Sequence, residues 1–190
     1  MSLIIPYAGG EVVVTAEAFD LPRYRADSAD NIVGPGEELY LEDEGYAPSS
    51  RHRVTVRKDE TPLASLVLLA GGGASGVHAH SAVVRGEECY VAVGPFICAL
   101  TLPALKVLWF TRADEATCFG VYDAPGYASL ISHGEIGITR LSYAGEVIWS
   151  AAGADIFSEG FELFEHHVEA VDFNGVRYRF GLKTGKFCAR

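Results

Sequence analysis

The sequence predicts an all-β protein of stacked antiparallel hairpins, and three observations carry that prediction. One short stretch recurs: Val67-Leu68-Leu69, Val107-Leu108-Trp109 and Val147-Ile148-Trp149 stand 40 residues apart, a period that stacked four-stranded units leave in a chain. Between the copies lie paired apolar runs joined by tight-turn residues, of which Asn174-Gly175 is the strongest example, since a two-residue hairpin loop needs positive φ at its centre. No long segment shows the 3.6-residue apolar period of an amphipathic helix.

Taken in order, Glu11-Val12-Val13-Val14-Thr15 is β-branched and reads as a strand. Residues 16–36 lack a clean period: Leu21-Pro22, the polar run 25–31 and Gly34-Pro35-Gly36 mark a long loop, with one helical turn at 16–19. Leu39-Tyr40-Leu41 is a short strand among Glu37, Glu38, Glu42, Asp43 and Glu44, and the basic group Arg51, Arg53, Arg57 and Lys58 pairs with that acidic run. Residues 1–50 therefore form an irregular N-terminal segment with short strands, and 53–190 the repeat region of a single β domain. Arg53-Val54-Thr55-Val56-Arg57 alternates as a half-exposed strand does, turns at residues 58–62 and returns as 63–69.

A glycine-rich break, Gly71-Gly72-Gly73-Ala74-Ser75-Gly76, lacks the Gly-Lys-Ser/Thr ending of a phosphate-binding loop and reads as a connection. Residues 77–84 are β-like and carry His78 and His80. Residues 89–94, then 96–102 with 105–110, give the second hairpin, turned at Leu102-Pro103-Ala104, where a missing N–H does no harm. Residues 117–122 and 127–132 pair across Asp123-Ala124-Pro125-Gly126. The third hairpin is 135–141 with 146–150, turned at Tyr143-Ala144-Gly145, and a helical turn is expected at 154–157. Residues 161–164, 168–173 and 176–182 follow, and Thr184-Gly185 starts a last return.

The totals bound the function classes. A chain of 190 residues that is 49% hydrophobic can bury a sizeable core. A net charge of −10 argues against binding nucleic acid through its phosphates. No apolar run approaches the roughly 20 residues that span a bilayer, and the first residues carry neither a basic region nor a long apolar stretch, so a soluble cytoplasmic protein is expected. Cys89, Cys98, Cys118 and Cys188 lie in apolar, strand-like stretches without a Cys-x-x-Cys pair, and read as buried free thiols; a redox pair of Cys89 with Cys98 is the alternative.

The units ICALTLPALKVLW, GITRLSYAGEVIW and YRFGLKTGKFC share one plan: alternating strand, turn with Gly or Pro, strand ending in an aromatic. Over residues 53–190 they resemble the repeats of pyrroloquinoline-quinone-type and WD40-type β-propellers, and Val-Ile-Trp-Ser without Trp-Asp fits the quinone type better. Four units are the most that the chain supplies, so the resemblance implies an incomplete array, a small closed propeller, or half of a ring completed by a second copy. It carries no function with it.

A second resemblance covers residues 72–94, where Gly72, His78, His80, Glu87 and Gly94 resemble the first motif of the cupins, with six residues between His80 and Glu87 where that family has three or four. It implies a cupin-like β-barrel as the alternative fold. On a strand, His78 and His80 share a face and can offer two imidazoles to one divalent transition metal. Glu87 and, near Pro125-Gly126, His133 are the remaining candidate ligands. His133-Gly134-Glu135 and His166-His167 are weaker candidates in their own right, and no nucleophile elbow occurs.

Residues 151–170 hold Asp155, Glu159, Glu162, Glu165 and Glu169 and no Lys or Arg, an acidic patch able to steer a basic partner. Trp109 and Trp149 are expected to be buried as the ends of core strands. The expectation is a non-catalytic interaction or scaffold module that binds a protein partner or itself and needs no cofactor. Its alternative is a metal-dependent enzyme or small-molecule binder built on His78 and His80.

Overall fold

The structure is a computed structural model that describes residues 2–17, 37–42 and 47–188. Residues 18–36 of the expected loop and the acidic pair Asp43 and Glu44 lie outside these residues; of the helical turn expected at 16–19, Ala16 instead ends a strand and the rest past Glu17 lies outside. Within them the protein is all β, with one 3-10 turn at Pro125–Tyr127.

The strands form four sheets in succession. The first contains β1 (Ser2–Tyr7), β2 (Gly10–Ala16), β3 (Glu37–Tyr40), β4 (Ser50–Lys58) and β5 (Thr61–Ala70), in the order β1-β2-β4-β5-β3. The second is the meander β6 (Ala82–Arg85), β7 (Glu88–Val93), β8 (Phe96–Thr101) and β9 (Val107–Arg112); the third is the meander β10 (Cys118–Ala124), β11 (Ser129–Gly134), β12 (Gly137–Ser142) and β13 (Val147–Ala152). The fourth has β14 (Gly160–Leu163), β15 (His167–Val171) and β16 (Arg177–Gly181), and Phe187 adds a single bridge to Phe180. Among the described residues no sheet closes into a barrel, so the cupin-like alternative does not describe this fold.

Burial explains why the middle strands read as unbroken apolar runs. A sheet covered on both faces has no polar side to alternate with. In the second sheet Cys89, Val91, Val93, Cys98 and Leu100 pack on Val12, Val14, Val54, Val56 and Leu68 of the first. The residues between them, Tyr90, Ala92, Ile97 and Ala99, pack on Val121, Leu130 and Leu141 of the third. The third sheet's other face, with Ile131, Ile138 and Trp149, meets Phe157, Val168, Ala170 and Phe180. Three apolar layers thus join four sheets face to face.

The far face of the fourth sheet is polar. Glu169, only 8% exposed, accepts hydrogen bonds from Arg177 Nη1 at 2.8 Å and from Arg179 Nε at 3.0 Å, and the two guanidiniums hold its carboxyl well down, at about 2. The most buried member of the acidic run 151–170 is thus neutralised by the neighbouring strand. At the other end, Arg51 pairs at 2.9 Å with Glu38, a member of the acidic run the basic group was expected to meet, and at 3.1 Å with Glu17, which lies outside that run.

The two tryptophans show how successive sheets are held. Trp109 donates its indole N–H to the Tyr143 carbonyl at 2.9 Å, and Trp149 donates to the Leu182 carbonyl at 2.8 Å. Each indole lies on a turn glycine of the next sheet. A Cβ on Gly145 (φ +86°) would meet Trp109 at 2.6 Å, and one on Gly185 (φ +66°) would meet Trp149 at 2.7 Å. Leu105, 40 residues before Gly145, keeps a positive φ of +54° but packs against the first sheet, which has no indole. Trp149 is buried as expected, whereas Trp109 is half-exposed.

Several expectations differ from the structure. The strand expected at 11–15 is β2, but residues 2–7 add β1 beside it, and both join the first sheet, which therefore spans the boundary drawn near 50–53. The first copy of the 40-residue stretch is also out of phase: Leu68 faces the next sheet, whereas its later counterparts on that side are Trp109 and Trp149. A one-residue slip sends a strand's side chains to opposite faces. Residues 154–157 form a bend and an irregular stretch, not a helical turn.

Cys89, Cys98 and Cys118 are buried free thiols, and burial pushes each up to about 12. Cys188 is half-exposed. With a thiol-reactive dye at pH 8, one fast site is expected in the native protein and four after denaturation. A second fast native site would overturn the buried assignment.

Candidate functional site

The histidines do not stand on a strand. β6 begins at Ala82, and residues 77–81 form a turn in which the His80 N–H donates to His78 Nδ1 at 3.2 Å. His78 Nε2 donates to the Phe119 carbonyl, so His78 uses both ring nitrogens within the protein. Its ring centroid lies 6.2 Å from that of His80. The shared-face geometry expected of a strand is replaced by a tight turn.

Around this turn the inner edges of the third and fourth sheets bring rings together. His80 stacks on Tyr122 at 4.5 Å, Tyr122 meets Phe161 at 4.6 Å, and Phe161 stacks on His133 at 4.6 Å. His133 is buried and donates Nε2–H to the Phe157 carbonyl at 3.2 Å. Burial, and secondarily the charges of His78 and His80, bring its pKa to about 4 despite that hydrogen bond; His80 is shifted down by burial and then by the charge of His78.

The structure thus gathers His78, His80 and His133 within electrostatic reach. Glu87 does not join them: it is exposed at the β6–β7 hairpin turn, at the opposite end of β6. Among the described residues, no group of three His, Cys, Asp or Glu has an arrangement that could hold a metal ion. His166 is exposed, and its neighbour His167 begins β15 and faces Glu169 at 3.6 Å.

The His133 environment has a measurable consequence. The folded state keeps this imidazole neutral down to about pH 4, whereas the unfolded chain protonates it near 6.5. The unfolded state then binds the extra proton, so stability falls as pH drops from 6.5 to 4. Replacing His133 by Phe, which preserves stacking on Phe161, is expected to flatten this part of the profile in urea titrations. An unchanged slope would show that His133 is already solvated.

One buried polar cluster escaped the sequence reading. His52 is fully buried, and its Nε2 donates to the Ser75 carbonyl at 3.1 Å with Ser75 Oγ at 3.3 Å. Ser75 Oγ donates to Ser50 Oγ at 2.9 Å and accepts the Gly94 N–H at 2.9 Å. Burial lowers the pKa of His52. No carboxylate orients His52 among the described residues, so the pair lacks the third member of a hydrolytic triad; it fastens the glycine-rich connection between the first and second sheets. The signal was present in parity, since Ser50, His52, Val54 and Val56 share the buried face of β4.

The outer rim is the other notable feature. β9 and β13 are the outer strands of their sheets, and they expose Val107 (40%), Leu108 (48%), Phe110 (43%), Val147 (51%) and Ile148 (46%). A cleft of about 230 Å³ lies between them, lined by Arg112, Asp114, Ile136, Val147 and Ser150. The corresponding outer strand of the first sheet, β5, is covered along its edge by β3, and its Val67, Leu68 and Leu69 are completely buried.

No protein-family model matches the sequence, and no curated protein matches it. Among solved structures, Kuenenia stuttgartiensis hydrazine synthase is similar at 8% identity and a TM-score of 0.56, over 73% of this chain and 42% of that one. The chain therefore spans about two fifths of the length of that chain, and the likeness is one of fold. The computationally designed Ika4 protein matches over 60% of this chain and 76% of its own, at 8% identity and a TM-score of 0.45. No helix among the described residues is long and apolar enough to cross a membrane.

Proposed function

We propose that this protein is a non-catalytic cytoplasmic binding module, its sheets arranged as an incomplete propeller-type array, that holds a protein partner on the apolar rim of β9 and β13. The observation that carries this reading is the contrast between two kinds of outer strand. β5 buries its aliphatic residues beneath a covering strand, whereas β9 and β13 leave theirs open. Proteins ordinarily cover or charge such edges, and an uncovered apolar edge marks a docking or association surface. Three buried reduced thiols suit a reducing compartment.

The test is the double variant Leu108→Lys with Ile148→Lys. Both residues are nearly half exposed, so the fold should tolerate the change. Affinity capture from lysate, compared with the unaltered protein at matched stability, is expected to lose specific partners. An identical set of captured proteins would overturn the reading.

A further inference from the structure

We propose that β9 receives an extended acidic–apolar segment of a partner protein as an added parallel strand. This inference rests on the rim reading above and names the mode of docking and the chemistry of the occupant.

The chain contains its own template. β3 is a short extended segment laid parallel on the outer edge of β5, with Glu37 beside Leu66, Glu38 beside Val67, Leu39 beside Leu68 and Tyr40 beside Leu69. The next backbone bond, Leu41 N–H to Leu69 carbonyl at 2.9 Å, continues the pairing. The sequence of that covering strand is acidic, acidic, apolar, aromatic. β9 holds the same outer position in the next sheet. Among the described residues, no backbone bond from outside the β8–β9 hairpin reaches residues 107–112.

Charge separates β9 from β13. Lys106 and Arg112 bracket β9, whereas Glu146 precedes β13. A parallel segment with an acidic start places those acids near Lys106, and on β13 it would meet a carboxylate. Arg112 already pairs with Glu42, two residues beyond the end of β3, so the chain that covers β5 leads directly to the end of β9. Strand addition draws affinity from main-chain hydrogen bonds and selectivity from alternate side chains; here Leu108 and Phe110 offer the apolar contacts.

The probe is the synthetic peptide acetyl-Glu-Glu-Leu-Tyr-Leu-amide, added to the full chain and followed by amide chemical shifts. Saturable shifts confined to β9 are expected. N-methylation at alternate peptide residues should abolish them, a Lys-Lys-Leu-Tyr-Leu peptide should not produce them, and Lys106→Glu should weaken binding about tenfold, the loss of one favourable charge contact. Shifts on β5 or β13, no shifts at millimolar peptide, or indifference to Lys106→Glu would each overturn the proposal. So would peptide-independent dimerisation through β9, which would make a second copy the occupant. If the peptide fails while Leu108→Lys with Ile148→Lys still strips partners from lysate, the rim reading stands and strand addition falls; if capture is also unchanged, both fall.

Discussion

Trp149→Ala is expected to lower the free energy of unfolding by about 3–5 kcal/mol, the range for deleting a large buried aromatic. The indole is only 9% exposed and belongs to the apolar layer between the third and fourth sheets. It lies over Gly185, where no side chain can move in to fill the space. The lost hydrogen bond matters less, because the Leu182 carbonyl also accepts Arg140 Nη1 at 3.0 Å and keeps a partner. Most of the loss is therefore cavity and lost apolar burial. Trp109→Ala removes the same kind of bond from a half-exposed ring and is expected to cost about half as much. Urea unfolding followed by circular dichroism checks both, and a Trp109 variant as damaging as the Trp149 variant would contradict the assignment.

Asp114→Ala is expected to cost a comparable amount, about 3–5 kcal/mol, since several buried donors lose their acceptor together. Asp114 is 6% exposed and connects the second sheet to the third. Its Oδ1 accepts the N–H groups of Ala116 and Thr117 at 2.8 and 3.0 Å, and its Oδ2 accepts those of Ile136 and Gly137 at 3.0 and 2.9 Å. Asn cannot substitute well, because its amide would point a donor at two donors. Gly134 makes room for the carboxylate: a Cβ there would stand 2.1 Å from Oδ2. Gly134→Ala is thus expected to displace the same carboxylate, and the double variant to cost less than the sum of the two, although the new Cβ still meets the Gly137 carbonyl at 2.6 Å. Additive losses in a double-mutant cycle would show that the two residues act independently.

The parts of this architecture visible in the sequence were those written in local chemistry. Turn residues at 58–62, 102–104, 143–145 and 174–175 placed the hairpins, because each turn demands particular backbone geometry. The covering strand β3 was found, but its parallel pairing with β5 depends on a distant partner. β1 was not found at all: Ser2–Tyr7 includes Pro6 and pairs at the sheet's edge, where a missing N–H is harmless.

The site was less legible for the same reason. His78 and His80 drew attention through spacing, but spacing fixes a shared face only on a strand, and these residues lie on a turn. Tyr122 and Phe161, which stack with His80 and His133, belong to different sheets, and nothing local links them. The Val-Leu and Val-Ile pairs at 107–108 and 147–148 were read as markers of a repeat. Their exposure follows from strand order, which the periodicity does not encode.

The carboxylate and two guanidiniums on the outer face of the fourth sheet decide what can pack there. An apolar sheet laid on it would have to bury Glu169, Arg177 and Arg179. Packing an apolar sheet on that face would first require those three side chains to become aliphatic, so the chemistry of this face selects a polar neighbour or solvent.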